Sequence, residues 1–306
     1  MKILVLGATG FLGRNLVEKF APHHEVHAVW HERKPFESPA VQWHQIDLRM
    51  PFEMEPCDVL LQFAACSSGC KDTLQSPAMH INNNTLMNSL IFKAAVDAKV
   101  KHVIFPSCSV MLPNGHNDEN VTPQVRKEYL GFASMKLYFE KMCEFYSNIT
   151  DTKFTVMRNS NFYGAHDKFD LAHSHVFGAT ITKVLTAKDK ITVWGTGEEA
   201  RDFVHVSDFC NFVESVIEKQ TDKFKLFNCG SGIATPINTL VAEIIKASGK
   251  EIAVEHDLSA PSIPTSLSLD CTKAREELGW TPVISLPEGI KRTIKWWQGN
   301  MAYEVL

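Results

Sequence analysis

The chain has 306 residues, 44% hydrophobic and 22% charged, with a formal net charge of −4. That is the composition of a soluble globular protein with a large core. No Lys/Arg block is present, which argues against a nucleic-acid partner, and no apolar run reaches the roughly 20 residues of a membrane span.

The opening "MKILVLGATG" lacks a small-residue cleavage site and reads as a first strand rather than a leader. "KILVLGATGFLGRNLVEKF" is an apolar strand, a glycine-rich turn and an amphipathic helix. "EVHAVW" is a second strand, a third precedes Asp47, and "CDVLLQFAA" (57–65) is a later one. Helical periodicity runs over 82–100, and "HVIFPS" is another apolar strand. Residues 129–147 predict a helix, and "KFTVMRNS" a strand. Strands alternating with helices predict an α/β, Rossmann-type doubly wound parallel sheet; continuously apolar strands fit burial on both faces.

After about residue 162 the rhythm changes. Loops lengthen, "ITVWG" is a short strand, and "DFCNFVESVIEK", "INTLVAEIIKASG" and "PEGIKRTIKWWQ" are helices. The expected division is a nucleotide-binding domain over 1–162, with elements near 203–228 returning to it, and a smaller α/β substrate lobe over 163–306. Eight cysteines, at 57, 66, 70, 108, 143, 210, 229 and 271, make no C-x-x-C pair, and no second pair or nearby histidine completes a zinc set with Cys66 and Cys70. They read as free thiols of a cytoplasmic protein, with no metal site expected.

Gly7, Gly10 and Gly13 form G-x-x-G-x-x-G between strand and helix. Glycines let the backbone approach a pyrophosphate, and the helix N-terminus offers free N–H groups. A purely structural tight turn would use the same residues. An acid at the end of the second strand would bind the 2′-hydroxyl of NAD. This chain has Trp30 there, with Arg33 just beyond. That pattern leans to NADP, with NAD open because Glu32 could serve the ribose. Asp47 after the third strand is either an adenine-side contact or a helix cap. Lys136 stands four residues after Phe132, so both share one helix face.

These residues resemble the extended short-chain dehydrogenase/reductase (NAD-dependent epimerase/dehydratase) family, and within it the GDP-fucose synthase branch. "GATGFLG", "FAA" (63–65), "RNSNFYGAHDKF", "SHVFGATITK", "VWGTGEEARDFVHVSD", "FNCGSG" and "EELGW" carry the resemblance over nearly the whole chain. It implies hydride exchange between a nicotinamide and a sugar carbon, a cytoplasmic homodimer pairing helices near 82–98 and 132–147, and a GDP-sugar substrate. On the cofactor side it implies Gly7, Thr9, Gly10, Phe11, Leu12, Gly13, Arg33, Asp47, Leu48, Ala64, Ala65 and Lys136. On the substrate side it implies Asn161, His175, Val176, Lys183, Trp194 and Arg201, with Lys183 and Arg201 facing a diphosphate.

The family's catalytic tyrosine position holds Phe132, which cannot transfer a proton. Three readings stand open: an engineered Tyr→Phe replacement, a natural variant using another group, or a binding protein without turnover. Tyr129 substitutes only if its turn folds toward the cofactor. A gapless match puts Cys108 at the family's serine position, with Ser107 and Ser109 flanking it. The branch's epimerising pair is a histidine, matched by His175, and a cysteine, whose position falls on Val110 or Ser109. The leading expectation is oxidation or reduction at C4 of a GDP-hexose or GDP-heptose. Epimerisation beside a keto group and non-catalytic binding are the alternatives.

Overall fold

The computed structural model describes residues 1–67 and 76–301; Cys70 lies outside the described residues. In chain order the elements are β1 (Lys2–Leu6), α1 (Phe11–Phe20), β2 (Glu25–Trp30), β3 (Val41–Gln45), β4 (Val59–Gln62), α2 (Pro77–Asp97), β5 (His102–Pro106) and β6 (Gly115–Asn117). Next come α3 (Leu130–Ile149), β7 (Lys153–Asn159), β8 (Asn161–Tyr163), α4 (Val176–Thr186), β9 (Lys190–Trp194), β10 (Ala200–Arg201), β11 (Phe203–His205) and α5 (Val206–Lys219). The chain ends with β12 (Phe224–Cys229), β13 (Thr235–Pro236), α6 (Ile237–Ser248), β14 (Ala253–Asp257), β15 (Leu267–Leu269), α7 (Thr272–Leu278) and α8 (Leu286–Asn300).

Seven strands form one parallel sheet in the order β12-β7-β5-β4-β1-β2-β3. The chain reverses its direction of travel between β1 and β4, which opens a crevice at the carboxyl ends of those strands. Side chains alternate across the sheet. Ile3 and Val5 of β1 join one core with α1, α5 and α7, whereas Leu6 joins a second core with α2 and α3. Both faces are therefore apolar, which explains why these strands read as unbroken hydrophobic runs.

A third core holds Phe177 and Ile181 of α4, Leu240 and Ile244 of α6, and Ile290 and Trp297 of α8. It sits beside the sheet and carries the short pairings β9–β14 and β10–β13. The return to the sheet extends beyond residue 228: Ala274, Leu278 and Trp280 pack in the first core with β12 and α5. Helix α2 also differs from its expected start at 82. Pro77 occupies its first turn, where a missing N–H costs nothing. Asn84 is then internal, and its buried side chain ties both the N–H and the carbonyl of Cys66. No helix among the described residues is long and apolar enough to cross a membrane.

His102 lies at the start of β5, 3% exposed, with Nε2 2.8 Å from Thr155 Oγ1 on β7. Burial lowers its pKa from 6.5 to about 3. The unfolded chain then takes up this proton below about pH 6.5 while the folded chain does not, so stability is lost as pH falls through that window. The slope is at most about 1.4 kcal/mol per pH unit, or about 2 kcal/mol between pH 6.5 and 5. Urea unfolding of the wild type and His102→Gln should show that difference in pH dependence. Parallel slopes would show that His102 is not a buried neutral base.

Candidate functional site

The glycine turn is set by close packing. Gly7 has φ +71°, and a Cβ there would lie 2.6 Å from Phe63 O and 2.7 Å from Ala64 Cα at the end of β4. A Cβ on Gly13 would lie 2.2 Å from Gly7 O. Neither position admits a side chain, because the chain's own backbone fills the space, so the two glycines let the turn pack onto the end of β4 and lead straight into the N-terminus of α1, where Gly10 is the cap. Arg33 Nη1 donates to Thr9 O at 3.2 Å, which brings its guanidinium to this turn. Lys168 donates to Ser67 O, and burial with the nearby Arg33 charge lowers its pKa. Phe11 and Leu12 pack against the first core, and Leu48 is buried in the second. Asp47 is bound by Arg49 at 2.8 and 3.0 Å, which holds its carboxyl down at about 2. It also accepts from the Arg49 N–H, an Asx-type turn, and lies 3.6 Å from His31. Gln62 receives the Ala64 N–H, fixing the loop after β4, and Ala65 is exposed there.

The second half of the site is a cleft of about 400 Å³ between the sheet's carboxyl ends and the α4, α6 and β9 elements. Phe132, Cys108, Ser109, Asn161 and His175 line it on the sheet side and at the mouth of α4. Val176, Lys183, Trp194 and Arg201 line it farther along α4, β9 and β10. The structure therefore gathers residues that lie more than 90 positions apart in the sequence. Tyr129, the cap of α3, also lines this cleft.

Lys136 and Ser107 do not line it. The buried Lys136 amine donates to Pro106 O at 2.6 Å, at the end of β5, and lies 5.9 Å from the Phe132 ring. Burial lowers its pKa, with the neighbouring Cys108 acting in the opposite direction. Ser107 Oγ donates to Glu140 Oε1 at 2.5 Å. Glu140 is also paired with Arg158, at 3.1 and 2.9 Å, and both side chains are 6% exposed. This hydroxyl, one of the two serines flanking the family's serine position, is committed to a buried ionic network and not to the cleft. Of the three candidates at this strand end, Cys108 and Ser109 open to the cleft.

The enclosed cleft favours neutral groups. Burial pushes the Cys108 thiol up to about 12, against the pull of Lys136. His175 is the N-terminal boundary of α4, its ring open to the cavity and making no cap bond. Enclosure by the surrounding walls, aided by Lys168 and His80, lowers its pKa to about 4. Lys183 donates to Thr192 O and lies 5.5 Å over the Trp194 ring, its pKa lowered by burial. Arg201 donates to the carbonyls of Thr265 and Ile263, so its fork braces the loop before β15. Asn161 Nδ2 donates to Asp202 O at 3.1 Å.

Sequence reasoning missed several cleft residues. His80 of α2 is buried, with its ring edge-on to Phe132 at 6.5 Å. Its periodicity gave no signal, because a histidine on an inward helix face looks like core. Asn159, Ser160 and Ser174 also line the cleft. The first two lie inside the quoted "RNSNFYG", where two polar residues at the end of an apolar strand were the available clue.

Comparison with known proteins bears on this arrangement. The NAD dependent epimerase/dehydratase family matches residues 3–230. The chain is 26% identical to GDP-L-colitose synthase of Yersinia pseudotuberculosis, covering 97% of each chain. It is 27% identical to GDP-L-fucose synthase of Azorhizobium caulinodans, over 99% of this chain and 98% of that one. Among solved structures, UDP-glucose 4-epimerase of Thermotoga maritima superposes with a TM-score of 0.83 at 24% identity, covering 98% and 100% of the two chains. UDP-N-acetylglucosamine 4-epimerase of Methanobrevibacter ruminantium gives 0.86 at 20% identity, covering 98% and 99%. These structures share the doubly wound fold.

The geometry separates Ser107 from Ser109. Ser107→Ala should lower stability by about 1–3 kcal/mol, because a buried carboxylate loses one of its donors. It should leave ligand affinity within about twofold. Ser109→Ala should do the reverse. Denaturant unfolding and nucleotide titration of both variants check this; a Ser107 variant of full stability would contradict the network.

Proposed function

Because the chain belongs to the NAD dependent epimerase/dehydratase family, we propose that it oxidises or reduces C4 of a GDP-linked hexose or heptose, with NADP(H) preferred over NAD(H). The observation that carries this reading is the single cleft in which Phe132, Cys108, Ser109 and His175 meet Lys183, Trp194 and Arg201. Two of the relatives are named for synthesis of GDP-sugars, colitose and fucose, which supports a GDP-linked substrate. The tight glycine turn, running from β1 straight into the N-terminus of α1, suits a dinucleotide's pyrophosphate. Arg33 and Lys168 beside it, and no acid at Trp30, favour a 2′-phosphate.

When bound, the nicotinamide supplies the hydride exchange with the sugar carbon. The chain's own residues do the rest. The helix α1 N-terminus and Arg33 would hold the cofactor phosphates, and Lys136 braces the end of β5 through Pro106 O. Lys183 and Arg201 set the positive field for the sugar diphosphate, with Trp194 as an apolar wall. The neutral Cys108 thiol and the Ser109 hydroxyl hold the sugar oxygen by donating to it. Phe132 excludes water but transfers no proton.

His175 favours a second reading. A neutral imidazole in the cleft can accept a proton beside a keto group, as epimerisation requires. Incorporation of solvent deuterium at C3 or C5 distinguishes this from simple C4 chemistry.

The chain is also proposed to form a homodimer through α2 and α3. Leu86, Tyr138, Phe145 and Ile149 on those helices are 47%, 52%, 49% and 61% exposed. A stripe of large apolar side chains on paired helices is the expected surface for a second copy. Sedimentation should give a dimer, and Phe145→Glu should shift it to monomer; a monomeric wild type at micromolar concentration overturns this.

Restoring the hydroxyl tests the catalytic reading. With GDP-mannose and its 4-keto-6-deoxy derivative as substrates, Phe132→Tyr should raise turnover about 10²–10⁴-fold, followed at 340 nm. Unchanged, measurable turnover would assign proton transfer to another cleft group. No turnover in either protein, with tight nucleotide binding, would leave a binding protein.

A further inference from the structure

Phe132 cannot move a proton, yet oxidation or reduction at C4 needs a group beside that ring to take or give the proton of the sugar oxygen. Helix α2 brings one there. Gly131 of α3 carries no side chain, and a Cβ on it would lie 2.1 Å from Ile81 Cδ1. The first turns of α2 therefore press directly on the start of α3. His80, the residue before Ile81, has its ring edge-on to the Phe132 ring, with 6.5 Å between centroids. Asn84, one turn further along α2, holds this position. Its buried amide donates to His80 O at 2.6 Å and to Cys66 O at 2.9 Å, which ties the helix to the loop after β4.

His80 is 5% exposed and lines the cleft. It also lies close enough to His175 for the charges of the two rings to interact. Three separate observations thus put one imidazole among Phe132, His175 and the cavity.

The other titratable side chains lining the cleft are less suited to the task. Lys183, Glu199 and Arg201 belong to α4 and to the segment entering and forming β10. The Cys108 thiol, pushed up to about 12 by burial, gives up its proton reluctantly. The Tyr129 ring packs against the cluster of Met111, Leu112 and Ala133. His175, held down at about 4, is a weak base. An imidazole is the side chain best able to accept and return a proton near neutral pH.

We infer that His80 is the catalytic acid–base residue at C4, in place of the hydroxyl that Phe132 lacks. In oxidation the O–H bond at C4 breaks and its proton passes to the neutral imidazole of His80. The oxygen's freed electron pair completes the C=O bond as the C4–H pair leaves as hydride to the oxidised nicotinamide. In reduction the imidazolium returns the proton to the oxygen as hydride arrives at C4.

This inference rests on the C4 reading of the cleft and names the residue that moves the proton. The test is a cycle of four proteins: wild type, His80→Gln, Phe132→Tyr and the double variant. Each is assayed with NADP(H) and GDP-mannose or its 4-keto-6-deoxy derivative. His80→Gln should lower wild-type turnover about 10²-fold, the lower end for a general acid–base group, with GDP affinity unchanged. In the Phe132→Tyr background the same change should cost little, because the tyrosine hydroxyl then carries the proton. Turnover retained there also shows that the fold tolerates glutamine. A second readout needs no turnover. The His80 Cε1–H proton resonance, assigned by its loss in His80→Gln, should shift on adding GDP-mannose and stay in place on adding GDP. Full turnover in His80→Gln, or an equal loss in both backgrounds, would overturn the assignment. So would a wild type active only after Phe132→Tyr, or a resonance that GDP-mannose leaves in place. No turnover in any of the four proteins would instead remove the C4 reading itself, and the assignment with it.

Discussion

The site depends on how α3 is fastened to the sheet. Three side chains four residues apart, Phe132, Lys136 and Glu140, lie along one stripe of this helix. The Glu140 carboxylate, buried against Arg158 of β7 and Ser107 after β5, locks the middle of the helix to two strand ends. One turn earlier the Lys136 amine takes the Pro106 carbonyl. A turn before that, Phe132 packs against the second core and the His80 ring and reaches the cleft. Unpairing a buried carboxylate of this kind costs several kcal/mol, so the helix cannot slide or rotate without breaking the network. The position of residue 132 relative to the cleft is a consequence of that constraint.

The same enclosure governs the charges. Burial pushes the Cys108 thiol up to about 12 and holds His175 down at about 4. At neutral pH both are uncharged, one a donor and the other able to accept. The cleft's cations, Lys183 and Arg201, stand on other elements, α4 and β10. A phenyl ring at 132 fits this apolar setting but leaves proton movement to groups outside the Tyr–Lys pairing.

The glycine turn was legible from the sequence. A strand, three spaced glycines and a helix dictate the turn, because only glycine tolerates the contacts at Gly7 and Gly13. The cleft was legible in outline through the segments around Asn161, His175 and Lys183, which line it. Ser107 could not be sorted from Ser109: neighbours in an irregular strand end point in directions that the pattern does not fix. His80, Asn159 and Ser160 escaped notice because each looks like core or turn until another element faces it.

The sequence by itself determined the doubly wound sheet and the glycine turn, because hydrophobic period and glycine's tolerance of close approach are local properties. It also determined that residue 132 carries no hydroxyl. The tertiary structure alone decided which serine is spent on Glu140, where the Lys136 amine points, and which residues line one cleft. Those outcomes depend on partners distant in the chain, brought together when β5, β7, α3 and the segment before α4 pack around one space.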